Sequence, residues 1–232
     1  MKYKNLTIIG TSHIAKESID QVKKAIESQK PEIIGVELDK KRLSALLHKG
    51  KRSINLKDIF RIGLKGFIFS LIGAWVEKKL GEMVGVKPGT EMLTAVKLAK
   101  KHKTQLALID QDIEITLKRL SQEITWKEKF NFLADIVKAV IFRKKEIDFD
   151  LTKVPKEEII KKLINKVKKR YPSIYKVLIK ERNKIIAKNL FYLIQSNKKT
   201  LAIIGAGHEK EVIELIKDQE VVSYSFKIKQ NT

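Results

Sequence analysis

Residues 201–208, LAIIGAGH, decide the fold because they repeat residues 6–13, LTIIGTSH. Five of the eight positions are identical: Leu, Ile, Ile, Gly and His. Each copy predicts a buried strand, a glycine that turns the chain and a histidine just past the end of the strand. Ligands of open α/β sheets bind beyond the carboxyl ends of the strands. If the two strands lie side by side and parallel, His13 and His208 therefore meet at one point.

The rest of the chain extends this strand pair into a layered fold. A helical pattern over 15–28, followed by a strand over 33–37, predicts a β-α-β unit with a right-handed crossover. Further strands are predicted over 105–109, 201–204 and 221–226. Residues 111–199 are almost entirely helical in pattern, with Asp112 as the predicted cap of the first helix and a long helix over about 172–196. We therefore expect one α/β domain over 1–232. It has a central mixed, partly parallel β-sheet flanked by helices, with a large helical insertion (about 111–199) before the last strands.

The 232 residues contain 49 Lys and Arg against 27 Asp and Glu, a net charge of +22. A net +13 of this excess falls within residues 138–199. Such a charge invites nucleic acid or an anionic membrane surface as partner. The lysines are scattered along helix faces without interleaved aromatic residues, which is typical of a solvated face. Binding to nucleic acid is therefore the least favoured function.

The chain contains no cysteine, which excludes disulfides, a thiolate nucleophile and a cysteine-based zinc site. The N-terminal sequence predicts a strand rather than a signal peptide, so we expect a cytoplasmic protein. The apolar residues 66–76 are shorter than the roughly 20 residues that cross a bilayer. Region 56–83 is too apolar to stay exposed, so a homodimer or peripheral membrane contact is expected there. The Lys-, Ile- and Glu-rich composition is typical of a heat-adapted protein.

A carboxylate lies where the two histidines are expected to meet. Glu37 ends the second predicted strand, and two His with one carboxylate and an open position form a known type of catalytic metal site. Glu91, in the first turn of a predicted helix, is a candidate general base. Arg42, Arg119 and Arg182 are candidates for holding an anionic group or the site carboxylates.

Simpler interpretations remain open for each residue taken alone. Either histidine could cap a helix, Glu37 could pair with Arg42, and Glu91 could complement a helix dipole. The glycines of residues 205–207 could cradle a phosphate, but position 210 is Lys where the dinucleotide fingerprint requires a third glycine. The matched octets favour the metal site over these alternatives.

Several motifs in order carry a resemblance that covers nearly the whole chain. They are residues 10–13 (GTSH), 36–39 (VELD) with Arg42, 85–92 (GVKPGTEM), 108–113 (LIDQDI) with Thr116, Leu117 and Arg119, 181–183 (ERN) and 205–208 (GAGH). Together these motifs resemble the TraB/PrgY family, within the Tiki-like and EreA/ChaN-like group of α/β proteins. The resemblance implies an archaeal member of the family, and we expect the chain to be without the C-terminal membrane region that many archaeal relatives carry.

The resemblance implies a mixed sheet and a metallopeptidase site with two G-x-x-H motifs. It implies His13, His208 and Glu37 as ligands of a divalent ion (Mn²⁺, Co²⁺ or Zn²⁺), and Glu37, Glu91 and Arg182 as catalytic residues. Candidate substrate-binding residues are Arg42, Asp110, Arg119 and Glu181. Two positions depart from the family pattern: Gln111 stands where Arg is usual, and Asn183 where Asp is usual. The departures are either a compensated pair or a mark of weakened chemistry.

Three functions follow as hypotheses. The first is metal-dependent hydrolysis of peptides at a site of two histidines and a glutamate. The second, which the two departures favour, is a non-catalytic protein that binds a peptide or a small anionic ligand. The third is a basic protein that binds nucleic acid or a membrane surface.

Overall fold

The structure, a computed structural model, describes residues 1–12, 16–48, 60, 63, 67, 88–142 and 156–230. Its strands are β1 (Lys2–Tyr3), β2 (Leu6–Thr11), β3 (Ile33–Val36), β4 (Gln105–Leu108) and β5 (Thr200–Gly205). They form one sheet in the order β1-β2-β5-β3-β4. Only β1, at the edge, pairs antiparallel, and the described pairs of the other strands are parallel. The predicted mixed, largely parallel α/β sheet is confirmed.

Helices separate and follow these strands. They are α1 (Lys16–Gln29), α2 (Lys40–Leu47), α3 (Thr90–Lys101), α4 (Ile113–Glu123), α5 (Trp126–Phe142), α6 (Glu157–Arg170), α7 (Pro172–Tyr175), α8 (Arg182–Ile194) and α9 (Glu209–Gln230). A π-helical segment, Lys176–Glu181, joins α7 to α8. The side chains of Asp39 and Asp112 accept backbone N–H groups and cap α2 and α4. The cap that the sequence predicted at Asp112 is therefore confirmed.

Strand β5 lies between β2 and β3, with Thr11 opposite Gly205 and Val36 opposite Ile203. The strands of the two octets are therefore parallel neighbours, which is the condition that the predicted meeting of His13 and His208 required. Ala202 and Ile204 pack with α8 and α9 on one face, while Leu201 and Ile203 pack with α1 and α3 on the other. Because both faces are covered, β5 is apolar at successive positions rather than at alternate ones.

The strand predicted over 221–226 is wrong, because α9 continues through it to Gln230. No Gly or Pro interrupts the helix after Glu209, and the carboxylate of Glu220 bonds Tyr3 and Lys4 beside β1. These contacts hold the helix against the sheet at the point where the β-branched residues begin. The helix predicted over 172–196 is also modified, since its centre takes π-helical form.

Region 56–83, which we expected to contact a second copy or a membrane, lies outside the described residues except at Phe60, Gly63 and Phe67. The homodimer therefore stays a prediction. Within the described ranges, no helix combines the length and apolar character that crossing a membrane requires.

Candidate functional site

Carboxylates follow β3 and β4 at the same edge of the sheet. Glu37 comes directly after β3, and Asp110 follows β4 by two residues. The backbone N–H of Glu37 continues the β3–β5 ladder by donating to Ile203, and the N–H of Ile109 donates to Val36. The extended backbone thus carries both side chains past the strand ends. Both side chains are almost fully buried, with exposures of 2% and 0%.

Arg182, the first residue of α8, joins these two carboxylates. Its Nε lies 3.1 Å from both oxygens of Asp110, and its terminal nitrogen donates to Oε1 of Glu37 and, at 2.5 Å, to Asp110. Arg42 donates to Asp110 from the other side and, through Nε, to Asp39 at 2.5 Å. The alternative in which Glu37 pairs with Arg42 is therefore not the arrangement found, since Arg42 pairs with Asp39 and Asp110. The order of the strands places Glu37 next to Arg182, whereas Arg42 lies on α2 beside Asp39, the cap of that helix.

These contacts keep the two arginines charged inside the protein. Burial by itself would lower the pKa of the Arg182 guanidinium, but the charges of Glu37 and Asp110 outweigh it, and the pKa lies above its ordinary value. The pKa of Arg42 is raised as well. Burial by itself would lower it, but the Asp110 carboxylate outweighs the effect of burial. These residues form what is called here the sheet-edge cluster: the carboxylates of Glu37, Asp39 and Asp110 and the guanidinium groups of Arg42 and Arg182. The cluster holds one more carboxylate than guanidinium groups.

The π-helical segment directs three successive residues, 181–183, to three different partners. Glu181 accepts from Arg119 on α4, Arg182 reaches the sheet-edge cluster, and Asn183 reaches His208. A π-turn is wider than an α-turn and rotates the residues after it, and such turns often mark functional sites. A regular helical pattern gave no sign of it.

His208 lies at the start of α9, beyond the end of β5. Its N–H donates to Gly205, and its carbonyl accepts the first bond of α9 from Val212. Its ring Nδ1 contacts Oδ1 of Asn183 at 2.5 Å, while the Asn183 amide nitrogen donates to Glu211 at 2.8 Å. Because Glu211 is an acceptor, the Asn183 oxygen faces the ring, so Nδ1 of His208 is the donor.

The other ring nitrogen of His208 faces Glu37. Nε2 lies 3.5 Å from Oε1 of Glu37, and Oε2 of Glu37 accepts from the N–H of Gly205 at 2.5 Å. Two ligands of a tetrahedral metal at ordinary bond lengths are about 3.4 Å apart. A bond from the second ring nitrogen to a carbonyl oxygen is also the usual support of a metal-binding histidine. His208 and Glu37 therefore fit two positions of the predicted metal site.

The third expected ligand, His13, lies outside the described residues. Among the residues that the structure does describe, no group of three or more His, Asp and Glu is close enough to hold a metal ion. One feature of the pair opposes a metal: Oε1 of Glu37 already receives Arg182. An added cation would share that oxygen with the guanidinium.

The structure brings five sequence-predicted site residues together, namely Glu37, Arg42, Asp110, Arg182 and His208. Two others, Arg119 and Glu181, form a half-buried pair next to the cluster. Glu91 is buried in the first turn of α3. The two departures from the family pattern contact different residues. The side chain of Gln111 bonds Thr116, whereas that of Asn183 bonds His208 and Glu211, so these hydrogen bonds do not join the two positions.

Sequence reasoning did not assign a role to Asp39, Glu211 or the N–H of Gly205. Asp39 was recognisable, since an Asp before a helical pattern predicts an N-cap. Glu211 carries no such mark, because its role depends on the packing of α9 against α8. Asn183 was noticed only as a departure, whereas the structure makes it the partner of His208.

The chain is similar in sequence to a known family and to several known proteins. The model of the TraB/PrgY/gumN family matches residues 2–222. An uncharacterized protein of Methanocaldococcus jannaschii, MJ1365, is 38% identical over 221 residues, which is 93% of this chain and 54% of the relative. TraB domain-containing proteins of Mus musculus and Homo sapiens are each 22% identical over 193 residues, which is 76% of this chain and 49% of each relative. The chain thus spans about half the length of these relatives. With a family match over almost its full length, the chain belongs to the TraB/PrgY/gumN family.

Proposed function

We propose that the protein is a metal-dependent hydrolase of peptides, with His208, Glu37 and His13 as ligands of a divalent ion. The observation that carries the proposal is the 3.5 Å separation between Nε2 of His208 and Oε1 of Glu37. With its proton on Nδ1, a neutral His208 directs a lone pair at a carboxylate oxygen. Two acceptors in this position repel each other unless a cation lies between them or the imidazole gains a second proton.

The charge of the sheet-edge cluster supports the same conclusion. Its three carboxylates outnumber its two guanidinium groups, and all five side chains are largely buried. A buried excess of negative charge is costly unless a cation compensates it. A divalent ion between Glu37 and His208 supplies that compensation.

The protein's own residues have separate roles in this proposal. A bound divalent ion would supply Lewis acidity and lower the pKa of a water molecule. Arg182 is a positioning residue, because it fixes one oxygen of Glu37 while the N–H of Gly205 fixes the other. Asn183 holds the His208 ring with Nε2 directed at Glu37. Glu91 is the proposed general base, a buried carboxylate that would accept the proton of the attacking water.

A second candidate is a protein that binds a peptide or an anionic ligand without turnover. Arg182 and the N–H of Gly205 already occupy both oxygens of Glu37. In that case His208 carries a second proton and pairs directly with Glu37. The net positive charge of the sequence over 138–199 leaves nucleic-acid or membrane-surface binding as a third, weaker prediction, which retardation at low salt would test.

The deciding experiment compares His208→Ala with His102→Ala, a matched substitution at an exposed histidine that follows α3. Bound metal is measured by mass spectrometry after loading with Mn²⁺, Co²⁺ or Zn²⁺, and cleavage is measured with a library of quenched peptides. We expect His208→Ala to lose both metal and cleavage, while His102→Ala keeps both. Equal metal content and cleavage in wild type and His208→Ala would overturn the proposal. Saturable peptide binding without turnover under every metal would establish the second candidate instead.

A further inference from the structure

A cavity of about 400 Å³ lies beside the candidate site, between α6 and the start of α9. Its lining includes Ile160 and Ile164 of α6, Ala206 and Gly207 of the loop after β5, and Glu211 and Glu214 of α9. The volume lies in the range of pockets that hold small ligands or side chains. None of the roles proposed above for the sheet-edge cluster uses this space.

The floor of the cavity is the same sheet edge that carries the site. Gly207, which immediately precedes His208, lies against Ile164, since a Cβ at Gly207 would be 3.7 Å from the Ile164 side chain. Gly10 of β2 also lines the cavity, and a Cβ there would come within 2.5 Å of the Glu209 carboxylate and 3.0 Å of the Ala206 backbone. A side chain at Gly10 would displace the Glu209 carboxylate and crowd the Ala206 backbone. Because Gly207 belongs to the lining, the cavity adjoins the residue that precedes His208.

The carboxylates that line the cavity differ in the groups that pair with them. Glu157 pairs with Lys161 at 2.8 Å, and Glu209 pairs with the amino group of Met1 at 2.9 Å. Glu211 accepts instead from the neutral amide of Asn183. Over the described part of the chain, no cation lies within ion-pair distance of Glu211 or Glu214. The lining also includes Lys210, whose ammonium lies 3.9 Å from Glu157. Four carboxylates of the lining thus stand against three cationic groups, and the cavity carries one net negative charge in a protein of net charge +22.

The opposite wall, on α6, presents two isoleucines together with Glu157, Lys161 and Asn165. Ile160 and Ile164 are one helical turn apart and line the same side of α6. A side chain that fits both walls needs an apolar stem and a cationic end. Lysine and arginine have this construction, and both bury their stems along apolar surface while the charged end stays near polar groups.

We propose that this cavity is the specificity pocket of the protein and takes a lysine or arginine side chain of a peptide substrate. The inference rests on the proposed peptide hydrolase function for its substrate class. Glu214 and Glu211 receive the charged end, and Ile160 and Ile164 contact the stem. Peptides with an acidic residue at the same position are rejected by the like charges of the wall.

The test uses the full chain and labelled pentapeptides, acetyl-Ala-Ala-X-Ala-Ala, in which X is lysine, norleucine or glutamate. Binding is measured by fluorescence anisotropy with a chelator present, so that no peptide is consumed. We expect the lysine peptide to bind about five-fold tighter than the norleucine peptide, as a partly exposed ion pair allows. The ratio should fall to about one in Glu214→Gln and to below one in Glu214→Lys. The matched control is Glu158→Lys, which reverses an exposed charge on α6 that does not line the cavity and should leave the ratio unchanged.

The outcomes separate this inference from the function on which it rests. A lysine preference that disappears in Glu214→Lys and persists in Glu158→Lys supports the pocket, even if no peptide is cleaved. Equal affinity of wild type for the lysine and norleucine peptides overturns the pocket, even if cleavage is found. A preference that Glu158→Lys reduces as much as Glu214→Lys overturns it as well, because the effect would then belong to net charge.

Discussion

Two groups of ion pairs in this protein use the same residue types at similar distances but differ in burial. In the sheet-edge cluster, the side chains of Glu37 and Asp110 are at most 2% exposed, and Arg182 is 15% exposed. On the helical insertion, Arg119 joins Glu123 at 2.7 Å and Glu181 at 2.8 Å, but the three side chains are 25% to 35% exposed. Water and salt screen the second group and not the first. Burial rather than distance therefore decides which pairs the fold depends on.

The largest expected effect comes from removing the cation of the buried group. Arg182→Met leaves Glu37 and Asp110 without their shared partner, and breaking a buried pair in this way costs about 3–5 kcal/mol of unfolding free energy. Urea denaturation at neutral pH measures the loss. The double variant Arg182→Met with Glu37→Gln should recover part of it. A single variant as stable as wild type would contradict the comparison.

The next effect concerns the link between the cluster and His208. Asn183→Leu keeps the side-chain size but removes the oxygen that orients the ring, and loss of such a support usually weakens metal affinity about 10–100-fold. Gln111→Leu, at the other departure from the family pattern, is the control, because Gln111 bonds Thr116 instead. Competition with a metal-sensitive dye measures both affinities. Equal affinity of the two variants would remove Asn183 from the site.

A smaller effect is expected at Glu128, a buried carboxylate whose described partners are Thr125 and Ser173 rather than an arginine. Burial would raise the pKa of Glu128, but hydrogen bonds from Thr125 and Ser173 outweigh it, so the pKa lies below its ordinary value. A lowered pKa stabilises the folded state above about pH 4.3, the value in the unfolded chain, and the gain disappears as pH falls through the folded pKa. The stability difference between wild type and Glu128→Gln should therefore shrink between neutral pH and pH 3. Denaturant midpoints across that range check it, and a difference independent of pH would contradict it.

The smallest effect is expected at the exposed group. Arg119→Met removes both of its ion pairs, but each carboxylate regains water when the arginine is lost. Its change in unfolding free energy should be a small fraction of that of Arg182→Met and should vanish at 1 M salt. Equal losses in the two variants, measured by the same urea titrations, would show that burial is not the deciding factor.

Much of the fold was predictable because it depends on local patterns. The octets of 6–13 and 201–208 predicted two strands, and the structure pairs them in parallel. Asp112 before a helical pattern predicted a cap, which its side chain forms. The strand expected over 221–226 failed because a β-branched run is only a weak preference, and the contacts of Glu220 with Tyr3 and Lys4 continue the helix.

The sequence predicted which residues form the site but not how they pair. Position after a strand selected Glu37 and His208, residue type selected Arg182, and the family resemblance added Asp110. All four meet at the carboxyl edge of the sheet. Their pairing was not predictable: the sequence offered Arg42 as an alternative partner of Glu37, and the structure pairs Glu37 with Arg182. Residues 37 and 182 are distant in the chain, and their contact depends on the position of α8 over β3 and β4.

By itself, the sequence determined the α/β class, the repeated strand and glycine turn, the helical insertion and the exclusion of cysteine chemistry. These follow from apolar periodicity and composition, which act between near neighbours in the chain. Only the tertiary structure decided the strand order, the π-helical turn before Arg182, the partner of each carboxylate and the cavity beneath α6. The physical reason is that the energy of a buried charge depends on which opposite charge the packed elements bring within a few ångströms, and no local pattern encodes that distance.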